Sequence, residues 1–346
     1  MSSASGRPER PRAAPASVAR ERDLAAALRS ALARRRRLLD DPETDVCRLF
    51  NDRWDGVDGL VVERLGEVLI AQCHLGRLAV PDDALRDALA TLAEAVGAPT
   101  VYRKLFPRDR TNRTAAIDAA NRDPTPWIGP PAPAAFAVRE HGLNFMVRPF
   151  DGFSTGLFLD HREQRRAIRR VATGKRVLDT FAYTGGFTVA AAAGGADHVI
   201  TVDVSKRYLN WARENVSSNS VTECRHLWYC CDVFDGIRRL ARAGLAADII
   251  ILDPPTFARL ERPHRTFTLE RDLHRLLVSA VGVLSPGGLL HLSANAENAT
   301  PAWLKRALTA AALAAGRRVE WLDAPTPPAD FAGDEACLKV LWARLR

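Results

Sequence analysis

Four apolar runs in the second half of the chain each end in an aspartate: Val177-Leu178-Asp179, Val199 to Asp203, Trp228 to Asp232, and Ile249 to Asp253. Runs of this kind, bounded by helical segments, read as parallel strands of a doubly wound sheet, whose ligands sit beyond the carboxyl ends of the strands. All four carboxylates are therefore expected along one edge. A pyrophosphate would be repelled there. A ligand with an ammonium, a sulfonium, a ribose diol and an exocyclic adenine amine would be complemented group by group.

The loop from Asp179 to Thr188 joins the first of these strands to its helix, and Gly185-Gly186 let the backbone pass close to a ligand. Asp203 lies 24 residues after Asp179, at the end of the next strand, where a carboxylate accepts both hydroxyls of a ribose. Ser205 reads either as a ligand contact or as the cap of the following helix, and Asp232 as an acceptor for the adenine amine or as a turn residue. The loop has TGGFT in place of GxGxxG, which speaks against a nicotinamide cofactor. The cofactor these groups fit is S-adenosylmethionine.

Asp253-Pro254-Pro255-Thr256-Phe257 closes the fourth run. Two prolines donate no ladder hydrogen bonds and stiffen the loop, and Phe257 offers a face to a flat heterocycle; the alternative is a rigid turn with a core phenylalanine. Methylation at pyrimidine carbon 5 needs a cysteine nucleophile. None follows Pro255 or lies in Leu290 to Asn295, and Cys230 and Cys231 fall within the predicted third strand, where packing is expected of them. Guanine N7 is already nucleophilic and loses no proton, so alignment in a dry site suffices.

The elements that must position these groups follow from periodicity. The predicted class is α/β: a Rossmann-like, seven-stranded sheet over residues 151–346, whose last strand enters antiparallel because the loop before it is too short for a crossover helix. Residues 1–17 read as a disordered basic arm. Residues 18–150 read as an amphipathic basic helix (Val18 to Asp40) and a small α+β module, with strands at Leu60 to Glu63, Val68 to Cys73 and Val101 to Leu105 and a hairpin turning at His141-Gly142. The chain has 346 residues and a formal charge of +8, which suits a polyanionic partner, although arginine excess can also reflect genomic base composition. Arg103, Lys104, Arg108, Arg110 and Arg113 are the expected phosphate contacts, or else a solvated face. No apolar run approaches membrane-spanning length, and the six cysteines show no CxxC pairing, so neither a membrane role, a metal site nor a disulfide framework is expected, and the cytoplasm is the expected compartment.

The segments TGLFLDHREQRR (Thr155 to Arg166), VLDTFAYTGGFTV (Val177 to Val189), VDVSKRYLNWARENVSSN (Val202 to Asn219) and DPPTFARLER (Asp253 to Arg262) resemble class I S-adenosylmethionine-dependent 23S ribosomal RNA methyltransferases. The likeness is closest to the RlmK-like guanine-N7 type and spans roughly Leu24 to Arg346. It implies a cofactor rim of Phe158, Asp160 and Arg162, cofactor binding by Asp179, Thr184, Gly185, Asp203 and Asp232, and a base held by Asp253, Pro254, Pro255 and Phe257. It also implies large-subunit ribosomal RNA, or its assembly intermediates, as the partner. Where guanine-N7 members carry Ser-Asn-Asn and basic residues, this chain has Ser293-Ala294-Asn295 and then Ala296-Glu297. The competing readings are methylation of another base atom, such as cytosine carbon 5 or an exocyclic amine, and a non-catalytic RNA-binding assembly factor.

Overall fold

A computed structural model describes residues 21–108, 114–221, 223–260, 265–334 and 338–346; the predicted arm, Arg110 and Arg113 lie outside the described residues. The basic helix is α1 (Glu21–Leu39), which buries Leu24, Leu28 and Ala31 against the small module. That module is a four-stranded sheet of β1 (Val46–Asn51), β2 (Leu60–Leu65), β3 (Val68–His74) and β4 (Thr100–Phe106). The crossover helix α2 (Asp82–Ala95) brings β4 in parallel to β3, and the other pairs are antiparallel. Strand β1 escapes the sequence pattern because Arg48 interrupts its apolar run. The guanidinium is satisfied by Glu63, its cross-strand partner on β2, at 2.9 Å.

A short helix, α3 (Ala115–Ala120), precedes the predicted hairpin, β5 (Phe136–Glu140) and β6 (Leu143–Val147). The hairpin packs on the second half of the chain: Asn215 receives Met146 N at 2.7 Å and Trp211 Nε1 donates to Met146 O at 2.8 Å. The expected boundary at residue 150 therefore runs through a shared core, in which Val68, Val138, Phe145 and Val189 are all buried.

The second half alternates α4 (Arg162–Val171), β7 (Arg176–Thr180), α5 (Gly186–Ala193), β8 (His198–Asp203), α6 (Lys206–Ser217), β9 (Arg225–Cys230), α7 (Val233–Arg242) and β10 (Ala247–Leu252). A small hairpin follows, β11 (Phe257–Leu260) and β12 (Arg265–Thr268), then α8 (Leu269–Val283), β13 (Leu284–Ala294), α9 (Pro301–Ala314), β14 (Val319–Leu322) and β15 (Lys339–Leu345). Seven of these strands form one sheet in the order β14-β15-β13-β10-β7-β8-β9, and the last strand is antiparallel to both neighbours, as expected. The hairpin β11–β12 is a correction. Phe257 opens a strand paired with Thr268, where a stiff loop was expected.

Buried ion pairs dock the module on the sheet domain. Arg162, 1% exposed, gives its guanidinium to Asp330 at 2.8 Å and to Val46 O at 2.8 Å, and Arg165 grips Glu140 through two bonds of 2.7 Å. Removing one partner of such a pair would strand a buried charge at a cost of about 3–5 kcal/mol.

Candidate active site

The loop after β7 is tight. Phe181 and Tyr183 have φ of 54° and 51°, a strained conformation for bulky residues, and such strain gathers at ligand-binding loops. It is pinned by Asp203 at the end of β8, whose carboxylate accepts Tyr183 N at 2.9 Å on one oxygen and Ser205 N at 2.8 Å on the other. The Val204 N–H also bears on this carboxylate, which leaves part of its lone-pair capacity open. Burial raises the Asp203 pKa against these backbone hydrogen bonds, so a ligand's hydroxyls and positive charge would find a poorly solvated acceptor. Val204 beside it is 46% exposed, an apolar surface next to that carboxylate. Asp232, two residues beyond β9, caps α7 by accepting Phe234 N at 2.9 Å, and Ser205 caps α6 by accepting Tyr208 N at 3.3 Å.

Several predicted residues lie underneath the site. Asp179 is fully buried in β7, receives the Thr188 hydroxyl at 2.6 Å, and has its carboxyl pushed up to about 7, chiefly by burial. It braces α5 against the strands. Thr184 is buried, with its hydroxyl on Gly156 O. Gly185, at φ 75°, owes its identity to protein packing as well, since a Cβ there would stand 2.7 Å from that of Ala212 on α6. Gly186 begins α5, where a Cβ would come within 3.2 Å of Arg165 Cδ. Arg162 is not on a cofactor rim. Its charge is spent in the docking network, because α4 turns that face to Asp330.

Phe158 does reach the surface: it is 51% exposed, 5.4 Å from the Tyr183 ring, whose hydroxyl donates to Ser154 at 2.9 Å. Asp160 lines the cleft described next, and its Oδ1 is buried without a partner. Asp253 immediately follows β10, ahead of buried Pro254, Pro255 and Phe257, the last 52% exposed. Its carboxylate is approached by two side chains to which the sequence reading gave no role beside it. Ser293 on β13 donates to Oδ1 at 2.6 Å, and His161 Nε2, from the turn before α4, lies 3.4 Å from Oδ2. Only the parallel pairing of β10 with β13 makes Ser293 a neighbour of Asp253.

A cavity of about 1060 Å³ is lined by Glu63, Gln72 and Phe106 of the small module and by Phe158, Asp160 and Asn295 of the second half of the chain, while Asp203, Asp232, Asp253 and Phe257 lie outside its lining. Its size is at the upper end of ligand pockets, roughly 300–1,000 Å³. Of the expected basic contacts Arg108 is exposed, while Lys104 and Arg103 are engaged within the protein. Lys104 is 1% exposed, bonded to Gly152 O, with burial pulling its ammonium down to about 8; Arg103 pairs with Asp82 at 2.6 Å and stacks on Trp127. The exposed arginines of the small module include Arg29 and Arg37 of α1. Among the described residues no group of His, Cys, Asp and Glu could hold a metal, and no helix is long and apolar enough to cross a membrane.

A doubly wound sheet with a strained loop after β7 and an acidic acceptor ending β8 is the frame of a nucleoside-cofactor enzyme of the class I methyltransferase type. Residues 48–344 match the S-adenosylmethionine-dependent methyltransferase family model, and the chain belongs to that family. It is thus an S-adenosylmethionine-dependent methyltransferase. It is similar to ribosomal RNA large subunit methyltransferase I of Escherichia coli (strain K12), with 31% identity over 280 residues, 81% of this chain and 68% of that protein. Ribosomal RNA large subunit methyltransferase K of Neisseria meningitidis serogroup B is 39% identical over 160 residues, but the match spans only 46% of this chain and 45% of the relative. Among solved structures, SMU.776 complexed with SAH superposes with a TM-score of 0.81 at 27% identity, covering 96% of this chain and 83% of that one.

Proposed function

We propose that the enzyme methylates a base of large-subunit ribosomal RNA, and that the acceptor is guanine N7. The observation that carries the reading is the Asp253 loop, a doubly held carboxylate followed by two prolines and a half-exposed phenylalanine. Two relatives named for large-subunit ribosomal RNA support the substrate class. In this reading Asp203 takes the ribose hydroxyls on its remaining lone pairs, Val204 lies under the adenine, and Asp232 takes the exocyclic amine. The cofactor supplies the methyl group on a sulfonium.

Phe257 stacks the target base, and Pro254-Pro255 keep its plane fixed. Transfer to N7 moves positive charge onto the guanine ring, which the nearby Asp253 carboxylate stabilises without taking a proton. The distribution of thiols agrees. Among the described residues, Cys47 and Cys73 are buried in the small module, while Cys230 and Cys231 lie at the end of β9, the third strand over from β10. Cys230 is exposed there, a correction to its expected packing role, because β9 is the edge strand.

Nucleoside mass spectrometry of ribosomal RNA from a deletion strain tests the proposal. Loss of one N7-methylguanosine from the large subunit, restored by the gene, is expected. Loss of 5-methylcytidine in its place would overturn the guanine assignment, and an unchanged modification profile would overturn the substrate class.

A further inference from the structure

His161 has been given no role beyond its contact with Asp253. It lies in the three-residue turn Leu159–His161, is 5% exposed, and directs Nε2 to within 3.4 Å of Asp253 Oδ2. Its other nitrogen, Nδ1, is buried with no hydrogen-bond partner. A proton on Nδ1 would have no acceptor, so the proton belongs on Nε2, facing the carboxylate. The ring is held edge-on by Phe187 at 5.3 Å and lies 6.4 Å from His291, whose imidazole burial, with His161, pushes down to about 3. The turn itself is anchored, because Arg162 and Arg165, one and four residues further on, are the buried docking arginines. The second oxygen of Asp253 receives the Ser293 hydroxyl, from a different element.

We infer that His161, together with Ser293, is a positioning residue for methyl transfer: the two side chains clamp Asp253 so that its carboxylate and the rigid Pro254-Pro255 loop behind it keep one orientation toward the target base. The inference rests on the guanine-N7 reading above for the acceptor, and on the geometry around Asp253 for the clamp. A separation of 3.4 Å is long for a charge-assisted bond, and contacts of this kind commonly tighten when the substrate is in place. The clamp adds no proton-transfer step. It restricts Asp253 to the rotamer in which charge developing on the base is stabilised, and rigid support of this sort acts on kcat more than on binding.

The test is steady-state kinetics with radiolabelled S-adenosylmethionine and deproteinised large-subunit ribosomal RNA from a strain lacking the gene. His161→Leu keeps the bulk of the ring site apolar and removes the donor. It is expected to lower kcat about ten- to a hundredfold, the worth of one hydrogen bond to a charged group, with KM for both substrates held within about twofold. His161→Gln places an amide donor at a similar reach and is expected to recover most of kcat; a purely space-filling role would give no such rescue. Ser293→Ala removes the other donor and supplies a second reading if His161→Leu fails to fold, with the same loss in kcat expected. An unchanged kcat in His161→Leu or Ser293→Ala, or a His161→Gln variant as impaired as His161→Leu, would overturn the clamp. A parent enzyme that methylates no guanine N7 refutes the proposed function, whereas an active parent with indifferent variants refutes only this inference.

Discussion

Asp203 is the residue on which cofactor affinity is expected to turn. Its two oxygens accept backbone N–H groups from Tyr183 and Ser205, the Val204 N–H also bears on the carboxylate, and the lone-pair sites left over are expected to face the ribose. Two charge-assisted hydrogen bonds at about 1.5–3 kcal/mol each set the upper range of the loss, and the share surviving competition with water still exceeds about 1.4 kcal/mol, a tenfold change in Kd. Asp203→Ala also strips the acceptor from Tyr183 N, in a loop that already holds two residues at positive φ, so part of its effect would be loop disorder. Asp203→Asn separates the two contributions. The amide oxygen still accepts one of the two N–H groups, but the amide nitrogen accepts nothing, so a ribose acceptor is lost while one brace remains. Isothermal calorimetry with S-adenosylhomocysteine is the assay, with thermal unfolding as the control on folding. At least a tenfold rise in Kd is expected in both variants. A folded Asp203→Asn protein that binds within about twofold of the parent would show that the carboxylate braces the loop and does not hold the ribose.

Three further outcomes are expected. Burial raises the Asp179 carboxyl from 3.8 to about 7, so the stability from its bound proton is complete below about pH 4 and is lost as pH rises through about 7, at no more than about 1.4 kcal/mol per pH unit. Asp179→Asn should flatten that decline in urea denaturation between pH 5 and 8, and an unchanged slope would refute the assignment. With Lys104 buried and Arg103 engaged, the salt dependence of RNA binding is expected to come from α1: Arg29→Gln with Arg37→Gln should lower the log–log slope by about 1 to 2 if both contact phosphates, and an identical slope would remove α1 from the RNA path. Cys230→Ser and Cys231→Ser should retain methylation, and RNA carrying fluorinated cytosine should not trap the enzyme; a stable covalent complex on a denaturing gel would refute a mechanism without a thiol.

The sheet was legible in the sequence because its strands are buried on both faces and read as apolar runs between amphipathic helices, from Val177-Leu178 through Ile249-Ile250-Ile251. The antiparallel entry of β15 followed from loop length alone, and the aspartates from their places at the strand ends. Strands β1 and β11–β12 were not legible. Arg48 breaks the first pattern and is explained only by Glu63 across the ladder, while the second pair is short and follows a Pro-Pro turn.

Which aspartate stays partly open and which is a buried brace was likewise decided by packing: Asp179 and Asp203 have similar local sequence settings, but only Asp179 lies under α5 with a threonine hydroxyl on it. The resemblance put Arg162 at the cofactor rim, and the fold spends it on Asp330, 168 residues away. His161 and Ser293 meet Asp253 across 92 and 40 residues of chain, through a helix turn and a neighbouring strand. Periodicity along a chain reports which face of an element is apolar, since burial of that face is a local requirement. The partner of a single charged or polar group depends on strand order and docking angle, and those are set only when the whole core has closed.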